Sequence, residues 1–169
     1  MILQTERLTL RPFSPQDEDA FILGLEDREL RRMYGFPTEL SKNTARRIFA
    51  HFSELSTAMS LIRNEDKALV GFLLDVAAEM PEHMLRTLPE GGRTLAFATF
   101  VPYQRQGYMR EAIRVVMEQH SVVKDVPYLH GGHFPFNEPS QRLLAEMGFT
   151  PYGQHTVGTK TVIDEIHML

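Results

Sequence analysis

The residues of this chain best suited to chemistry form a short segment, Pro102-Tyr103-Gln104-Arg105-Gln106-Gly107-Tyr108, that runs from a β-prone stretch into a helical pattern. A helix N-terminus exposes unpaired backbone N–H groups and the positive end of the helix dipole. A turn that points these groups inward binds an anion, and a glycine such as Gly107 lets the backbone approach closely because it has no Cβ. The segment predicts a site for phosphate or pyrophosphate, with Arg105 and Arg110 at its edge. One glycine before a helix is also ordinary turn chemistry, so both interpretations stay open on this evidence.

A second pair of reactive side chains lies in His130-Gly131-Gly132-His133. Two histidines three residues apart on a strand point to opposite faces. No nearby carboxylate cluster in the sequence completes a set of metal ligands, so we expect no metal site here.

The bulk properties of the 169 residues fit one domain, which we expect to span 1–169. A net charge of -4 disfavours a nucleic-acid partner. The absence of cysteine excludes disulfides, thiolate metal sites and a cysteine nucleophile. No apolar run approaches the ~18 residues of a membrane helix, and the first residues do not resemble a signal peptide, so we expect no membrane partner and a cytoplasmic location.

The first third of the chain predicts one strand and two helices. Residues 8–13 place apolar side chains near alternate positions, which indicates a strand. Ser14, followed by Pro15 and an acidic first turn, predicts a helix that runs through Leu25. Ser41 is placed to cap a second helix, in which apolar residues recur at helical spacing.

The middle of the chain predicts a β-hairpin, a loop and another strand. Residues 59–62 and 69–76 would pair across a turn. Residues 79–92 hold two prolines and two glycines, which indicates a surface loop with a short helical turn. Residues 94–101 are strongly β-prone.

The last third predicts a helix after the glycine turn, a strand over 128–133, and a further helix that starts at Asn137 and is closed by Gly148. Residues 149–157 and 161–168 predict an antiparallel hairpin. Strands and helices in this mixed order indicate an α/β (α+β) structure built on a mixed sheet.

Three segments together resemble the GNAT superfamily of N-acetyltransferases and, within it, the ribosomal-protein N-terminal acetyltransferases. Residues 103–112 are similar to the family's Gln/Arg-x-x-Gly-x-Gly/Ala pyrophosphate loop and the Glu-Ala that follows it. Residues 137–149 are similar to the family's Asn-x-x-Ser, helix, Gly-Phe segment, and residues 5–13 to the subfamily's opening strand. Met109 stands where the family usually has glycine or alanine, and Arg105 where glycine is common.

The resemblance implies a mostly antiparallel, splayed sheet of six to seven strands flanked by helices, with acetyl-CoA as the cofactor. Backbone N–H groups of the loop would bind the pyrophosphate, the end of the preceding strand would pair with the pantetheine arm, and a later helix start would contact pantetheine and sulfur. The implied cofactor-binding residues are Phe100, Val101, Gln104, Arg105, Gln106, Gly107, Tyr108, Met109, Asn137 and Ser140.

The resemblance also suggests which residues act in catalysis. Ser140 would serve the departing thiolate, with a role as a first-turn serine of the helix equally open. His133 is a candidate general base because imidazole titrates near neutrality, although a structural histidine is the commoner case. Asp75 and Glu79 are alternative bases, and Glu111 is expected to be structural.

The resemblance implies an amine acceptor, either a protein N-terminus or a small molecule. Tyr34 and Phe36, between the first two predicted helices, would line its pocket, and Phe72 is expected to pack in the core. Proteins of this fold often pair as homodimers. The function expected is acetyl transfer from acetyl-CoA to a primary amine in a ternary complex.

Two alternatives remain open at the sequence level. A protein of the same fold could bind acyl-CoA as a sensor without turnover, which the altered loop positions and the lack of an obvious base would suit. Another phosphate-binding α/β enzyme is disfavoured, because neither Gly-x-x-x-x-Gly-Lys-Ser/Thr nor Gly-x-Gly-x-x-Gly occurs.

Overall fold

The computed structural model describes residues 2–124 and 126–169 and combines an open sheet with flanking helices. The strands are β1 Leu3–Gln4, β2 Leu8–Arg11, β3 Ala58–Arg63, β4 Leu69–Ala77, β5 Arg93–Thr99, β6 Tyr128–His133, β7 Thr150–Val157 and β8 Lys160–Met168. The helices are α1 Glu18–Gly24, α2 Arg28–Tyr34, α3 Lys42–Glu54, α4 Glu82–Leu85, α5 Tyr108–Val123 and α6 Glu138–Glu146. Across the described ranges, no helix has the length and apolar character needed to cross a membrane.

The strands are hydrogen-bonded in the order β1-β2-β3-β4-β5-β6-β8-β7. Neighbours pair antiparallel in β1–β2, β2–β3, β3–β4, β6–β8 and β7–β8, whereas β5 and β6 run parallel. The parallel ladder pairs Arg93 with Leu129 and Thr94 with His130. The mixed, mostly antiparallel α/β architecture predicted from the sequence is therefore confirmed.

The chain divides into two compact units, the first formed by Met1–Leu74 with Phe97–Val115 and the second by Asp75–Ala96 with Val116–Leu169. The prediction of one domain over 1–169 stays a prediction. In the first unit, aromatic rings from strands and helices pack edge to face around Phe21, which is fully buried. These rings belong to Phe13, Phe21, Phe49, Phe52, Phe72 and Phe100. Phe72 is a core residue, as expected.

Capping side chains define where several helices begin. The Ser41 hydroxyl accepts a hydrogen bond from the Thr44 N–H at 3.1 Å, which confirms the predicted start of α3. The Asp17 carboxylate accepts from the Ser14 N–H at 2.8 Å, in a 3-10 turn that precedes α1. Gly148 has φ of +83° after α6, a left-handed conformation that glycine adopts at little cost.

The second unit packs Met80 and Met84, around the short helix α4, against the buried ring of Tyr128 on β6. The hairpin of β7 and β8 turns at Gly158, as the sequence predicts. Strand β6 has the bounds predicted for it, 128–133.

Three sequence predictions were wrong in their details. The sheet has eight strands rather than six or seven, because the chain also pairs a short strand at Leu3–Gln4. Helix α2, between the two predicted helices, was not predicted. Its cap Asp27 and its terminal Gly35 enclose only seven residues, which is too short a segment for a clear helical periodicity. Strand β5 ends at Thr99, since Pro102 lies in a 3-10 turn that starts at Val101.

Candidate active site

The turn before α5 has the backbone geometry of an anion-binding loop. Arg105 has φ of +62° and Gly107 φ of +80°, so two left-handed residues bend the chain within three positions. Across the described part of the chain, the N–H groups of Arg105, Gln106 and Gly107 donate to no protein acceptor. The first turn of α5 adds N–H groups that have no partner within the helix. The loop therefore presents a set of donors that an anion can satisfy.

The loop is held in place by an ion pair between the start of the chain and α5. Arg7 Nη2 lies 2.7 Å from Glu111 Oε2, and Arg7 Nη1 donates to the Gln106 carbonyl at 2.9 Å. Glu111 also accepts from the Arg7 N–H at 2.9 Å and from the Thr5 hydroxyl. Burial would raise the pKa of Glu111, but the hydrogen bonds from Thr5 and Arg7 outweigh it and lower the pKa. Glu111 is thus a structural residue, as expected, and remains charged at neutral pH.

A second arginine braces the same loop from β3. Arg63 lies over the Tyr103 ring, 5.1 Å from its centroid, and donates to the Tyr108 hydroxyl at 3.4 Å. Its other nitrogens pair with Asp66, with Nη2 2.6 Å from Oδ2. Arg7 lies over the other aromatic ring, 4.7 Å from the centroid of Tyr108. Both ends of the loop are therefore fixed by cation–π contacts.

Beside the loop lies an open crevice of about 500 Å³ in which four of the nine lining residues are arginines. The lining residues are Thr5, Glu6, Arg7, Arg105, Gln106, Gly107, Arg110, Glu111 and Arg114. The left-handed backbone of Arg105 costs about 1–2 kcal/mol relative to a glycine there. Unpaired N–H donors and clustered guanidinium groups together fit a diphosphate, the group that the resemblance implies.

Tyr108 and Met109, the last two loop residues expected to bind the cofactor, have buried side chains. Met109 is 6% exposed and lies on the apolar face of α5. Its bulk therefore points into the protein and leaves the backbone at the first turn of the helix unobstructed. Gln104 and Gln106 direct their side-chain amides to the carbonyls of Thr99 and Pro102, at 3.0 and 3.1 Å.

The end of β5 differs from the extended strand expected to pair with pantetheine. The Phe100 N–H donates to the Val70 carbonyl at 2.9 Å, and its carbonyl accepts from the Tyr103 N–H at 2.9 Å. Its ring is buried in the aromatic core. Val101 is 46% exposed, and its carbonyl accepts from the Gln104 N–H. The Phe100 N–H is therefore already used within the protein, and the pairing of Phe100 or Val101 with a ligand stays a proposal.

In the second unit, Asn137 is the cap of α6. Its Oδ1 accepts from the Ser140 N–H at 3.2 Å, and its carbonyl accepts from the Gln141 N–H at 3.1 Å. Ser140 is thus the third residue of the helix and is half-buried. The structure brings these two residues together, while their contact with a cofactor stays a proposal.

His133 and Glu165 form a buried pair on one face of the sheet. His133 Nε2 lies 2.9 Å from Glu165 Oε1, and its Nδ1 lies 3.0 Å from the Phe134 carbonyl. Both ring nitrogens of His133 are therefore within hydrogen-bond distance of a protein oxygen. The assignment of His133 as the general base stays a prediction.

His130 lies on the opposite face and has different partners. Its Nε2 lies 2.9 Å from Asp164 Oδ1 and its Nδ1 2.8 Å from Thr94 Oγ1. The other carboxylate oxygen, Asp164 Oδ2, lies 2.8 Å from His155 Nδ1. Sequence reasoning missed these carboxylates because β8 is more than 30 residues away. Within residues 2–124 and 126–169, no three His, Cys, Asp or Glu side chains are arranged to hold a metal ion.

The alternative bases occupy different environments. Asp75 is buried and pairs with Arg93 Nε and His120 Nε2, each at 2.8 Å. Burial would raise its pKa, but the hydrogen bonds from His120 and Arg93 more than compensate and lower it, which makes it a weak base. Glu79 is exposed, and its backbone N–H donates to Thr94 Oγ1 at 2.8 Å.

Tyr34 and Phe36 form a stacked pair, with ring centroids 4.3 Å apart, at the end of α2. The Tyr34 ring meets Phe72 edge to face at 5.2 Å. Buried Arg31 links the segments before and after α2, because its guanidinium donates to the carbonyls of Leu25, Glu26 and Thr38. The two rings are half-buried, so they combine packing with an accessible aromatic surface.

Comparison with known proteins identifies the family of this fold. The family described as "Acetyltransferase (GNAT) domain" matches residues 7–150. No curated protein matches the chain. A GNAT-family acetyltransferase from Bacillus anthracis is 16% identical, with 99% of this chain and 98% of that chain covered and a TM-score of 0.81.

Two further solved structures share the fold. An acetyltransferase from Agrobacterium tumefaciens is 19% identical, covering 100% and 95% of the two chains at a TM-score of 0.75. RimL, a ribosomal L7/L12 alpha-N-protein acetyltransferase, is 16% identical, covering 100% and 94% at a TM-score of 0.75. The family match extends over most of the chain, including the loop around Gly107, and this protein therefore belongs to the GNAT acetyltransferase family.

Proposed function

We propose that this protein transfers the acetyl group of acetyl-CoA to a primary amine, which is either a protein N-terminus or a small molecule. The observation that carries this proposal is the loop around Gly107, where N–H groups without protein acceptors border a crevice lined by four arginines. Backbone and guanidinium donors of this kind recognise a diphosphate. Acetyl-CoA supplies the activated acetyl thioester.

The chain's own residues have separate tasks in this proposal. Residues from Gln104 to Met109 hold the diphosphate, and Val101 pairs with the arm that follows it. Asn137 contacts the arm, and the hydroxyl of Ser140 donates to the sulfur that departs. A backbone N–H of β5 stabilises the negative charge that develops on the carbonyl oxygen. His133 is the proposed general base, and its contact with Glu165 at 2.9 Å orients the imidazole.

Tyr34 and Phe36 are proposed to contact the acceptor. RimL is named as acting on the N-terminus of a ribosomal protein, which makes peptides with free N-termini the first acceptors to test. Assembly as a homodimer and a cytoplasmic location are further proposals, and sedimentation velocity tests the first of them.

The test measures thiol release from acetyl-CoA over a panel of amines and, separately, the affinity for coenzyme A by calorimetry. The panel holds hexapeptides that begin with serine, alanine or methionine, together with spermidine and kanamycin. Turnover with at least one amine supports the enzyme. Tight binding of coenzyme A without turnover on any amine supports a sensor of the same fold, and no binding overturns both.

A further inference from the structure

The crevice beside the diphosphate loop carries a surplus of positive charge. Its lining holds four arginines against two glutamates, which leaves a formal charge of +2 in a chain whose net charge is -4. All nine lining residues belong to the first compact unit. A concave surface with charge opposite in sign to the rest of the molecule attracts a strongly anionic ligand. The backbone N–H groups of the loop do not account for this surplus, because they carry no formal charge.

Two of the four arginines make no ion pair with another described residue. Arg7 is held by Glu111, with Nη2 2.7 Å from Oε2. By contrast, the guanidinium groups of Arg105 and Arg114 form neither an ion pair nor a hydrogen bond within residues 2–124 and 126–169. Both side chains are exposed. An anion in the crevice can therefore bind these two guanidinium groups without breaking an existing ion pair.

Arg105 stands at a position where glycine would be less strained. Its φ of +62° is left-handed, a conformation that costs about 1–2 kcal/mol for a residue with a Cβ. The N–H groups that the loop presents belong to the backbone, so a glycine at position 105 would present them equally well. Binding of a diphosphate by the backbone therefore does not require the arginine side chain, and its presence suggests a separate contact.

Arg114 extends the positive surface along α5, beyond the N–H groups at the start of the helix. Arg110 and Arg114 are four residues apart, so they lie on the same face with a rise of about 6 Å between them. Like charges at this spacing repel each other and slightly destabilise a helix. An anionic group about one helical turn beyond the diphosphate would remove this repulsion.

We propose that Arg105 and Arg114 bind the 3′-phosphate of coenzyme A and make this protein selective for coenzyme A over its 3′-dephospho form. This inference rests on the proposed acetyl transfer and assigns the third phosphate of the same cofactor. In coenzyme A a single ribose joins the diphosphate to the 3′-phosphate, so the two anionic groups fit neighbouring parts of one crevice. A phosphate monoester has a second pKa of about 6 and carries nearly two charges at pH 7, which suits two guanidinium groups.

The first experiment compares two ligands on the wild-type protein and needs no acceptor. Calorimetry measures the affinities for coenzyme A and for 3′-dephospho-coenzyme A at low salt. We expect coenzyme A to bind about 30-fold more tightly, and the ratio to shrink at high salt because exposed charges are screened. Equal affinities overturn this inference and leave the proposed function standing. Binding of neither ligand overturns the proposed function, and this inference with it.

The second experiment repeats both titrations with variants of the two arginines. Arg114→Gln is expected to weaken coenzyme A binding about tenfold and to change the affinity for the dephospho form less than about twofold. Arg105→Gly should lower the ratio of the two affinities in the same way while it raises the thermal stability, because the left-handed backbone is relieved. A loss of equal size for both ligands would place the arginine at the diphosphate and overturn the proposal.

The matched control is Arg47→Gln, which removes the same charge from an exposed position on α3, away from the crevice lining. It should leave the ratio of the two affinities unchanged, and a drop equal to that of Arg114→Gln would reduce the effect to overall charge. A competition assay identifies the source of the phosphate. Adenosine 3′,5′-bisphosphate should displace coenzyme A, and equally strong displacement by a phosphoserine hexapeptide would assign the arginines to a phosphorylated acceptor and overturn the proposal.

Discussion

Two separate features favour glycine at position 107: the backbone conformation and the space that a ligand would need. Its φ of +80° favours glycine, and an added Cβ would lie 3.4 Å from Arg7 Nη2 and 3.9 Å from Arg110 Nη1. A side chain there would therefore occupy the space between the two guanidinium groups that border the crevice. Arg105 is also left-handed, so the loop contains a second strained residue, and its charged side chain lines the crevice.

Replacing Gly107 with valine should weaken coenzyme A binding at least about 100-fold. The β-branched side chain fills the approach to the N–H groups and disfavours the left-handed backbone. Calorimetric titration with coenzyme A measures the loss, and thermal unfolding shows whether the fold survives.

Gly158 provides a matched control for this change. It is also left-handed, with φ of +61°, but nothing lies within 4 Å of an added Cβ. Gly158→Val should therefore carry a similar cost in stability without a loss of coenzyme A affinity. Equal affinities in the two variants would contradict the assignment of the loop.

Ser140→Ala tests the proposed contact with the departing sulfur. We expect kcat to fall about tenfold or more while the affinity for coenzyme A changes less than about twofold, because the hydroxyl acts on charge that develops during the reaction. The backbone N–H that binds Asn137 is retained in this variant, so the helix start is preserved. Wild-type turnover would remove Ser140 from the mechanism.

Among the elements, helices α3 and α6 begin with equivalent caps but have different proposed roles. Ser41 caps α3 through the Thr44 N–H, and Asn137 caps α6 through the Ser140 N–H. Sequence rules identified both starts, because capping depends on residues that are neighbours in the chain. Those rules cannot show whether a cap also contacts a ligand.

Comparing Asn137→Ala with Ser41→Ala separates these two roles. Each change should lower the free energy of unfolding by about 1 kcal/mol, since each removes one capping hydrogen bond. Only Asn137→Ala should also weaken coenzyme A binding, by about fivefold or more. Urea unfolding and calorimetry measure the two effects, and equal binding by both variants would reduce Asn137 to a structural cap.

At the scale of the whole molecule, buried carboxylates link stability to pH. Asp75 and Asp164 are buried, have lowered pKa values in the folded chain, and are held by Arg93 and by histidines. A lowered pKa contributes stability that is fully present above the ordinary value of about 3.8 and is lost as pH falls through the folded value. The free energy of unfolding should therefore decrease between pH 5 and pH 3.

Asp75→Asn tests this link. At pH 7 the variant should be less stable by on the order of 3 kcal/mol, because Arg93 loses a buried charged partner. The difference from wild type should narrow as pH falls below about 3.8, because the Asp75 carboxyl of the unfolded wild-type chain then binds a proton that the folded chain binds less readily. Urea unfolding at several pH values measures it, with Glu90→Gln, an exposed change, as the control. A constant difference would show that Asp75 does not titrate between these limits.

The sequence by itself determined most of the elements and singled out the loop around Gly107, whose binding of a diphosphate stays a prediction. The β3–β4 and β7–β8 hairpins, strand β6 and the starts of α3 and α6 all follow from periodicity, turns and caps, which act over a few residues. Helix α2 escaped prediction because seven residues hold too little periodic signal. The contact of Tyr34 and Phe36 with an acceptor stays a prediction, and the sequence did not indicate that Tyr34 ends a helix.

Only the tertiary structure decided which side chains meet across long separations. The pairing of Arg7 with Glu111 joins residues 104 positions apart, and it fixes the loop that the sequence could only suggest. Sequence reasoning singled out His133 but not its partner Glu165, which lies 32 residues away on β8 with Oε1 2.9 Å from His133 Nε2. The physical reason is that a histidine's proton positions depend on its hydrogen-bond partners, and strand register, set by the folded sheet, selects those partners.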